Sequence, residues 1–296
     1  MTSAAVAKAT TSAKPKKGIG RRVGRVALAV VGIGFTLVWA FPVYWMVNSS
    51  FLTTGTLQSL TPTFVPFGGS WKNYQAVVMD SGFFKALGWS AAITGVTLVV
   101  CIVFAFLAAL AISRFRFRGR TSFVLGVLLI QMLPAEALFI AQYKMISSMG
   151  LLNSVIGVSI IYIAGVVPFT VWMLRGFVAG VPADLEEAAM VDGLSRTQAF
   201  LRITFPLLAP GLVASGVYAF LQAWNEFSVA LVLLPEEASQ TLPLWLRTFL
   251  QDSAVQTTDW GQVMAASALV AVPVIIFFMV VQGRMTAGLV GGAVKG

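Results

Sequence analysis

Glu187-Ala-Ala-Met-Val-Asp192-Gly193-Leu-Ser-Arg-Thr-Gln-Ala-Phe200-Leu-Arg-Ile203-Thr-Phe-Pro206-Leu-Leu-Ala-Pro210 is a polar stretch set between two long apolar ones. Just upstream, Pro182 suits the first turn of a helix, and Asp184, Glu186 and Glu187 crowd its positive end. Leu185, Ala188, Ala189 and Asp192 fall at i, i+3, i+4 and i+7, which predicts one shared face. The alanines keep that face shallow, so another protein could approach closely. Gly193 can close the helix in a left-handed conformation. Ser195 and Gln198 have capping-box spacing and predict a second short helix, which presents Phe200 and Ile203 and ends before Pro206. The stretch therefore reads helix, glycine, helix, then a return to apolar sequence. On pattern alone it equally fits an amphipathic connector lying on a membrane surface.

The flanking sequence explains why a polar insertion stands out. The chain has 296 residues, of which 58% are hydrophobic and 10% charged, against about 25% charged in a soluble domain. This composition predicts an all-α polytopic membrane protein. Six apolar runs reach the length of about 20 residues that a helix needs to cross a bilayer. They are Val26–Val47, Ala86–Ile112, Ser122–Gln142, Leu152–Leu174, Pro206–Leu234 and Gln262–Gln282. Four contain no ionisable residue; the third holds Glu136 and the fifth Glu226.

The basic residues orient the spans. Lys8, Lys14, Lys16, Lys17, Arg21, Arg22 and Arg25 precede the first span. Arg114, Arg116, Arg118 and Arg120 follow the second, Arg175, Arg196 and Arg202 flank the polar loop, and Arg284 and Lys295 lie in the tail. Only Lys72, Lys85, Lys144 and Arg247 fall on the other side. Both termini and the Glu187 loop are thus expected in the cytoplasm, with 48–85 and 235–261 outside. Residues 1–25 read as a disordered basic arm. Residues 26–85 form the first span and outer loop, 86–282 a five-helix core including the cytoplasmic loop 175–205, and 283–296 a tail. Arg21-Arg22 before an apolar run superficially suggests a secretory signal. The run is of spanning length, carries Trp39, Tyr44 and Trp45, and lacks a small-residue cleavage site, so it reads as an anchor.

Several chemistries are excluded. The chain has no histidine and a single cysteine, Cys101, inside an apolar run, so no disulfide, His–metal or Cys–metal site is expected. No G-x-S-x-G stretch and no aspartate pair within the spans supports a membrane protease. No Gly-rich loop ends in Lys followed by Ser or Thr, so the chain cannot cradle ATP phosphates by that route. No internal repeat of the kind found in ion-driven transporters is evident. The +9 charge comes without a nucleic-acid motif, and no nucleic-acid partner is expected. No catalytic residue is proposed.

Ionisable and amide side chains within spans mark functional candidates. At about 1.5 Å per residue, Glu136 lies roughly 21 Å along the third span and Glu226 roughly 30 Å along the fifth. Gln131, Glu136, Gln222, Asn225 and Glu226 could border a translocation path, where neutral polar groups and aromatics suit a sugar. The alternative is that the two glutamates sit near outer water. Pro134, Pro168 and Pro273 interrupt spans, and kinking and simple tolerance by packing are both open.

The Glu-Ala-Ala-x-x-Asp-Gly run, followed by Phe200, Ile203, Pro206 and Pro210 at this spacing, resembles the EAA loop of ABC importer permeases. Arg114-Phe-Arg-Phe-Arg-Gly119, Gln131-Met-Leu-Pro134, Ala223-Trp-Asn-Glu-Phe227, Trp260-Gly261 with Met264-Ala265-Ala266, and the tail from Thr286 extend the resemblance over most of the chain. The tail is similar to that of the maltose-type second permease of carbohydrate importers. The resemblance implies a type I ABC importer transmembrane fold in a prokaryotic inner membrane. It implies that Glu187, Ala188, Ala189, Asp192 and Gly193 dock on an ATPase subunit, while Phe200, Ile203 and Pro206 brace the loop against the membrane helices. It also implies a second permease subunit, two ATPase subunits that bind ATP and Mg, and an extracytoplasmic substrate-binding protein. No cofactor is expected on this chain. Met190–Gly193, Ser195–Phe200 and Thr241–Leu246 resemble permeases for chito-oligosaccharides or amino sugars. Maltodextrin or glycerol phosphate fits nearly as well.

Overall fold

A computed structural model of the chain describes residues 19–80, 82–256 and 258–292. The described residues form helices and no strand. In chain order the α-helices are α1 Ile19–Ser50, α2 Thr54–Leu57, α3 Lys72–Met79, α4 Phe83–Arg114, α5 Arg120–Ile130, α6 Phe139–Ser148 and α7 Val155–Gly180. They continue with α8 Asp184–Val191, α9 Arg196–Ala199, α10 Phe205–Trp224, α11 Ser228–Leu233, α12 Leu242–Gln256 and α13 Trp260–Gly292. Five helical stretches are long and apolar enough to span a bilayer: Arg25–Ser50, Phe83–Arg114, Val155–Gly180, Arg196–Trp224 and Trp260–Gly283. A sixth span is made only if the bent pair Arg120–Ile130 and Ala135–Ser148 is counted as one.

The spans are apolar on all sides, so hydrophobicity cannot decide which face turns inward; side-chain size does. On α4, Thr97, Cys101, Ala105 and Ala109 recur every fourth residue and are fully buried. Val99, Val103, Phe104 and Leu107 point outward from the same helix. The small stripe lets α7 and α10 approach closely. Ala105 and Ala109 meet Val171, Leu174, Val178 and Leu208, and Cys101 meets Val166 and Ala219. A second cluster joins α3, α10, α12 and α13 through Val77, Phe220, Trp224, Trp245, Ala265 and Ala266. The first span is peripheral: α1 packs along α13 and exposes most of its large side chains.

The third span departs from the continuous helix expected over 122–142. α5 stops at Ile130, Ala135–Leu138 forms a 3-10 turn, and α6 leaves at 90°. Pro134 is the physical cause, since it has no N–H and pushes the preceding residue away from helical backbone. Short i→i−3 bonds from the amides of Met132, Leu133 and Ala137 satisfy the carbonyls that the break releases. The fifth span also differs from the expected 206–234. It begins earlier, at Arg196, and ends at Trp224. The Glu226 carboxylate then accepts from the amides of Val229 (2.7 Å) and Ala230 (3.1 Å), which starts α11 afresh. Of the basic arm, residues 1–18 lie outside the described residues. Residues 19–25 are the first turns of α1, not disordered chain. The sixth helix continues past 282, through Gly292.

The connection 48–85 folds over one end of the bundle. Asn73 Nδ2 donates to the carbonyls of Ser50 and Leu52, both at 2.9 Å, and so occupies acceptors left at the end of α1. Tyr44 donates to the Phe64 carbonyl. Thr54 Oγ1 donates to Asp259 Oδ1 at 2.6 Å, which also accepts from the Gly261 amide. Gly261 is needed there: a Cβ would lie 2.4 Å from the Leu52 carbonyl oxygen and 2.5 Å from Asn73 Nδ2. Gly261→Ala is therefore expected to cost about 1–3 kcal/mol through overpacking against fixed backbone. Thermal unfolding in detergent should show a lower Tm than wild type. Gly88→Ala within α4, with nothing within 4 Å of the added atom, should leave Tm no lower than wild type.

Candidate functional site

The polar loop folds as a helix, a left-handed glycine and a second helix. Ala183 starts α8, its carbonyl accepting from the amides of Glu186 and Glu187. Pro182 stands just before this cap rather than inside the first turn. At the other end Gly193 has φ +92°. The Gly193 amide bonds to Met190 and the Leu194 amide to Ala189, a Schellman closure that only a residue at ease with positive φ makes without strain. The capping box forms: Ser195 Oγ accepts from the Gln198 amide and Gln198 Oε1 from the Ser195 amide.

The second helix does not end before Pro206. α9 passes through a π-helical turn, Phe200–Thr204, straight into α10. The Phe205 amide reaches back five residues to the Phe200 carbonyl. This wider turn takes up the missing N–H of Pro206, which falls in the first turn of α10, without a break. The loop and the fifth span are consequently one helical rod from Arg196 to Trp224.

The faces differ from the expected shallow patch. Ala189 is only 7% exposed and packs inward. Leu185, Glu187, Ala188 and Asp192 remain outward, joined by Val191 at 88% exposure. Spacing alone could have found Val191, three residues after Ala188. The Phe200 ring lies 6.4 Å from that of Phe106 on α4 and 6.4 Å from that of Phe205, tilted against both. Ile203 is half-buried, Pro206 is exposed, and the buried contact is made by Thr204.

The strongest tie involves Glu186, which sequence reasoning passed over. Its Oε1 accepts from Thr204 Oγ1 at 2.6 Å and lies 3.2 Å from Arg114 Nη2 at the end of α4. Both side chains of the ion pair are about four-fifths buried (21% and 18% exposed). One carboxylate thus ties α8 to α4 and to the π turn that leads into α10. The available signal was charge: two adjacent glutamates point about 100° apart on a helix, and Arg114 lies in another connection on the same side. Beside this junction a concavity of about 350 Å3 is lined by Leu110, Arg114, Phe115, Glu186, Arg196 and Phe200, among others.

The membrane candidates separate into two kinds. Glu226 is a structural cap whose Oε2 also accepts from Tyr162 Oη at 2.7 Å. Asn225 is exposed and bonds back to the Leu221 carbonyl, and Gln222 is exposed. Gln131 sits at the third-span bend and donates to the Gly165 carbonyl at 3.3 Å, while Glu136 is exposed in the 3-10 turn. Gln131 and Glu226 therefore attach to α7 three residues apart, at Gly165 and Tyr162. Among the described residues no group of His, Cys, Asp and Glu could hold a metal.

Comparison with known proteins matches residues 101–289 to the family described as binding-protein-dependent transport system inner membrane component. The diacetylchitobiose uptake system permease protein DasC of Streptomyces coelicolor is 40% identical over 273 residues, covering 92% of this chain and 98% of its own. The trehalose transport system permease protein SugB of Mycobacterium tuberculosis is 32% identical over 281 residues, covering 94% and 100%. In fold, the chain is similar to a chain of a bacterial ABC transporter that imports alginate, with a TM-score of 0.74 at 23% identity over 91% of this chain and 99% of that one.

Glu186→Ala should strip Arg114 of its counter-charge and Thr204 Oγ1 of its acceptor, and cost about 1–3 kcal/mol. Trypsin should then cut at Arg196 and Arg202 faster than in wild type, while Glu186→Gln, which can still accept from Thr204, should fall between the two.

Proposed function

The chain belongs to the binding-protein-dependent transport system inner membrane components, the permeases of ABC importers, and we propose that it forms half of the pathway through which such an importer takes up a carbohydrate. It is a multi-pass membrane subunit of a transporter and not an enzyme. The cargo reading rests on relatives named for diacetylchitobiose and trehalose uptake, aligned over nearly the whole chain. A short neutral saccharide also suits amide side chains such as Gln131, Gln222 and Asn225, which can exchange hydrogen bonds with hydroxyl groups without pairing a charge.

The observation that carries the coupling part of the proposal is the build of the polar loop. α8 turns Leu185, Glu187, Ala188, Val191 and Asp192 outward while Glu186 and Ala189 hold its back against the bundle. A short helix with a firm back and an exposed front is what a docking element requires. In this reading a pair of separate ATPase subunits, holding ATP and Mg, grips that front from the cytoplasm. A second permease completes the pathway, and a binding protein outside delivers the cargo. Both termini lie in the cytoplasm, on the side where most arginines and lysines fall.

Force would follow two routes. Displacement of α8 pulls α4 through Arg114–Glu186 and Phe106–Phe200. It also turns the fifth span directly, since the rod from Arg196 to Trp224 is unbroken. Rigid packing against α7 converts either movement into rocking of spans, the motion alternating access needs. Gln131 and Glu136 at the third-span bend are the side chains on this chain best disposed to meet the cargo. Glu226 contributes by holding α11 in place.

Glu187→Lys reverses a charge on the docking face, and Gly193→Asp forces a side chain onto positive φ. Both variants are expected to reach the membrane at normal level and to lose uptake of labelled diacetylchitobiose by at least about tenfold, a loss of 1.4 kcal/mol of coupling or more. An ATPase chain should co-purify with wild type and be lost from Glu187→Lys. Full uptake by both variants would remove the coupling role; uptake of neither diacetylchitobiose nor trehalose by wild type would remove the cargo reading alone.

A further inference from the structure

We propose that the groove between α5 and α7 binds an anionic phospholipid, with its phosphate held by Arg120 and Arg175. Arg120 and Thr121 open α5, and Arg175 faces them across a concavity of about 370 Å3 floored by Val124 and Leu125. Arg175 also edges a second concavity of about 370 Å3 along α7, bounded by Trp172, Met173, Gly176 and Ala179. The two share that one guanidinium. A basic mouth thus opens onto an apolar trough, the shape of a headgroup followed by an acyl chain.

The charge argument is independent of the shape. Arg175 lies five residues, about 7.5 Å, before the end of α7, within the span itself. A guanidinium at that depth needs a counter-charge or must snorkel out. No acidic side chain lines either concavity. The acidic groups nearest in sequence are Asp184, Glu186 and Glu187 on α8; Glu186 is engaged by Arg114 and Thr204, and neither of the other two lines the concavities or pairs with Arg175. Arg175 is nonetheless half-buried, with Trp172 and Gly176 exposed beside it. The available anion at this level of a bilayer is a lipid phosphate. Two guanidinium forks and the Thr121 hydroxyl, all lining one concavity, supply the donors that the phosphate oxygens of a lipid headgroup accept from. Basic pockets between spans near a membrane face are known to take anionic headgroups in this way. A second protein chain in the groove would have to bring an acidic residue to Arg175 instead.

The test uses the assembled transporter in nanodiscs holding equal amounts of phosphatidylglycerol and phosphatidylcholine, with bound lipid counted by native mass spectrometry. Wild type should retain phosphatidylglycerol over phosphatidylcholine by about tenfold or more. Arg120→Gln and Arg175→Gln should each lower phosphatidylglycerol retention about fivefold, the yield of one basic residue near a membrane surface. Arg175→Lys should keep most of it. Arg118→Gln, an exposed arginine on the same connection that lines neither concavity, should lower retention clearly less than either mouth variant. Equal retention of the two lipids by wild type overturns the assignment without any variant having to fold. Unchanged retention in both glutamine variants at the mouth, an equal loss with Arg118→Gln, or a cross-link from position 172 to another subunit in place of lipid overturns it as well.

Discussion

The packing of α4 against α7 and α10 is the contact on which the rest of the molecule depends. In lipid there is no hydrophobic drive to bring two apolar helices together, because the acyl chains are as apolar as leucine. Close backbone approach and dispersion must supply it. The stripe Thr97, Cys101, Ala105, Ala109 gives α4 a face narrow enough for that approach, and α7 and α10 both use it. Cys101 Sγ and Thr170 Oγ1 meet across the α4–α7 contact at 3.5 Å, and Thr170 also donates to the Val166 carbonyl, so this polar pair is satisfied, whereas Thr97 Oγ1 on the same stripe is buried without a hydrogen-bond partner. The cytoplasmic-loop junction then has a firm base. Arg114 and Phe106, which receive Glu186 and Phe200, are carried by the same helix that carries the stripe.

How much of this was legible in the sequence follows from which force acts at each place. Apolar run length marks spans reliably, because a bilayer demands about 20 residues whatever the tertiary structure. The first, second and sixth spans accordingly cover their expected ranges, and the fourth, Val155–Gly180, overlaps most of its own but begins and ends later. Gly193 and the Ser195–Gln198 box were legible because caps are local chemistry between residues a few positions apart. The third and fifth spans were misjudged where a side chain competes with the helix: Pro134 removes a donor, and the Glu226 carboxylate captures the amides of Val229 and Ala230. Both residues were singled out beforehand, but a hydropathy reading weighs them as a kink and a charge, not as ends of helices.

Glu186 was missed for a different reason. It stands next to Glu187, the residue that carries the family pattern, and nothing in one sequence says which of two adjacent carboxylates turns inward. The answer lies 72 positions away at Arg114, and also at Thr204, behind the π turn. That turn was itself unforeseen. Pro206 reads as a stop signal, yet widening one turn before it allows a helix to pass a proline without losing its rod-like form. The outward glutamate stays exposed while the inward one fixes the helix that bears both.

The bend in the third span carries an implication about its surroundings. Irregular backbone at membrane depth is tolerated only where protein buries it or water reaches it. Within this chain residues 129–138 are all exposed, including Met132 and Leu133 with the Gln131 amide and the Glu136 carboxylate beside them. Their exposed side therefore faces another subunit or an aqueous path rather than acyl chains. The tether to α7 narrows this further. Gln131 Nε2 holds the Gly165 carbonyl one turn from Tyr162, which in turn holds Glu226. One turn of α7 thus anchors both irregular elements of the bundle. A path running past that turn would place polar side chains, released backbone groups and the stable α4–α7 pair within one short section of its wall. In the proposed reading, rocking of the packed α4–α7 pair and of the α10 rod would change the opening there, with the third-span bend carried along by its Gln131 tether to α7.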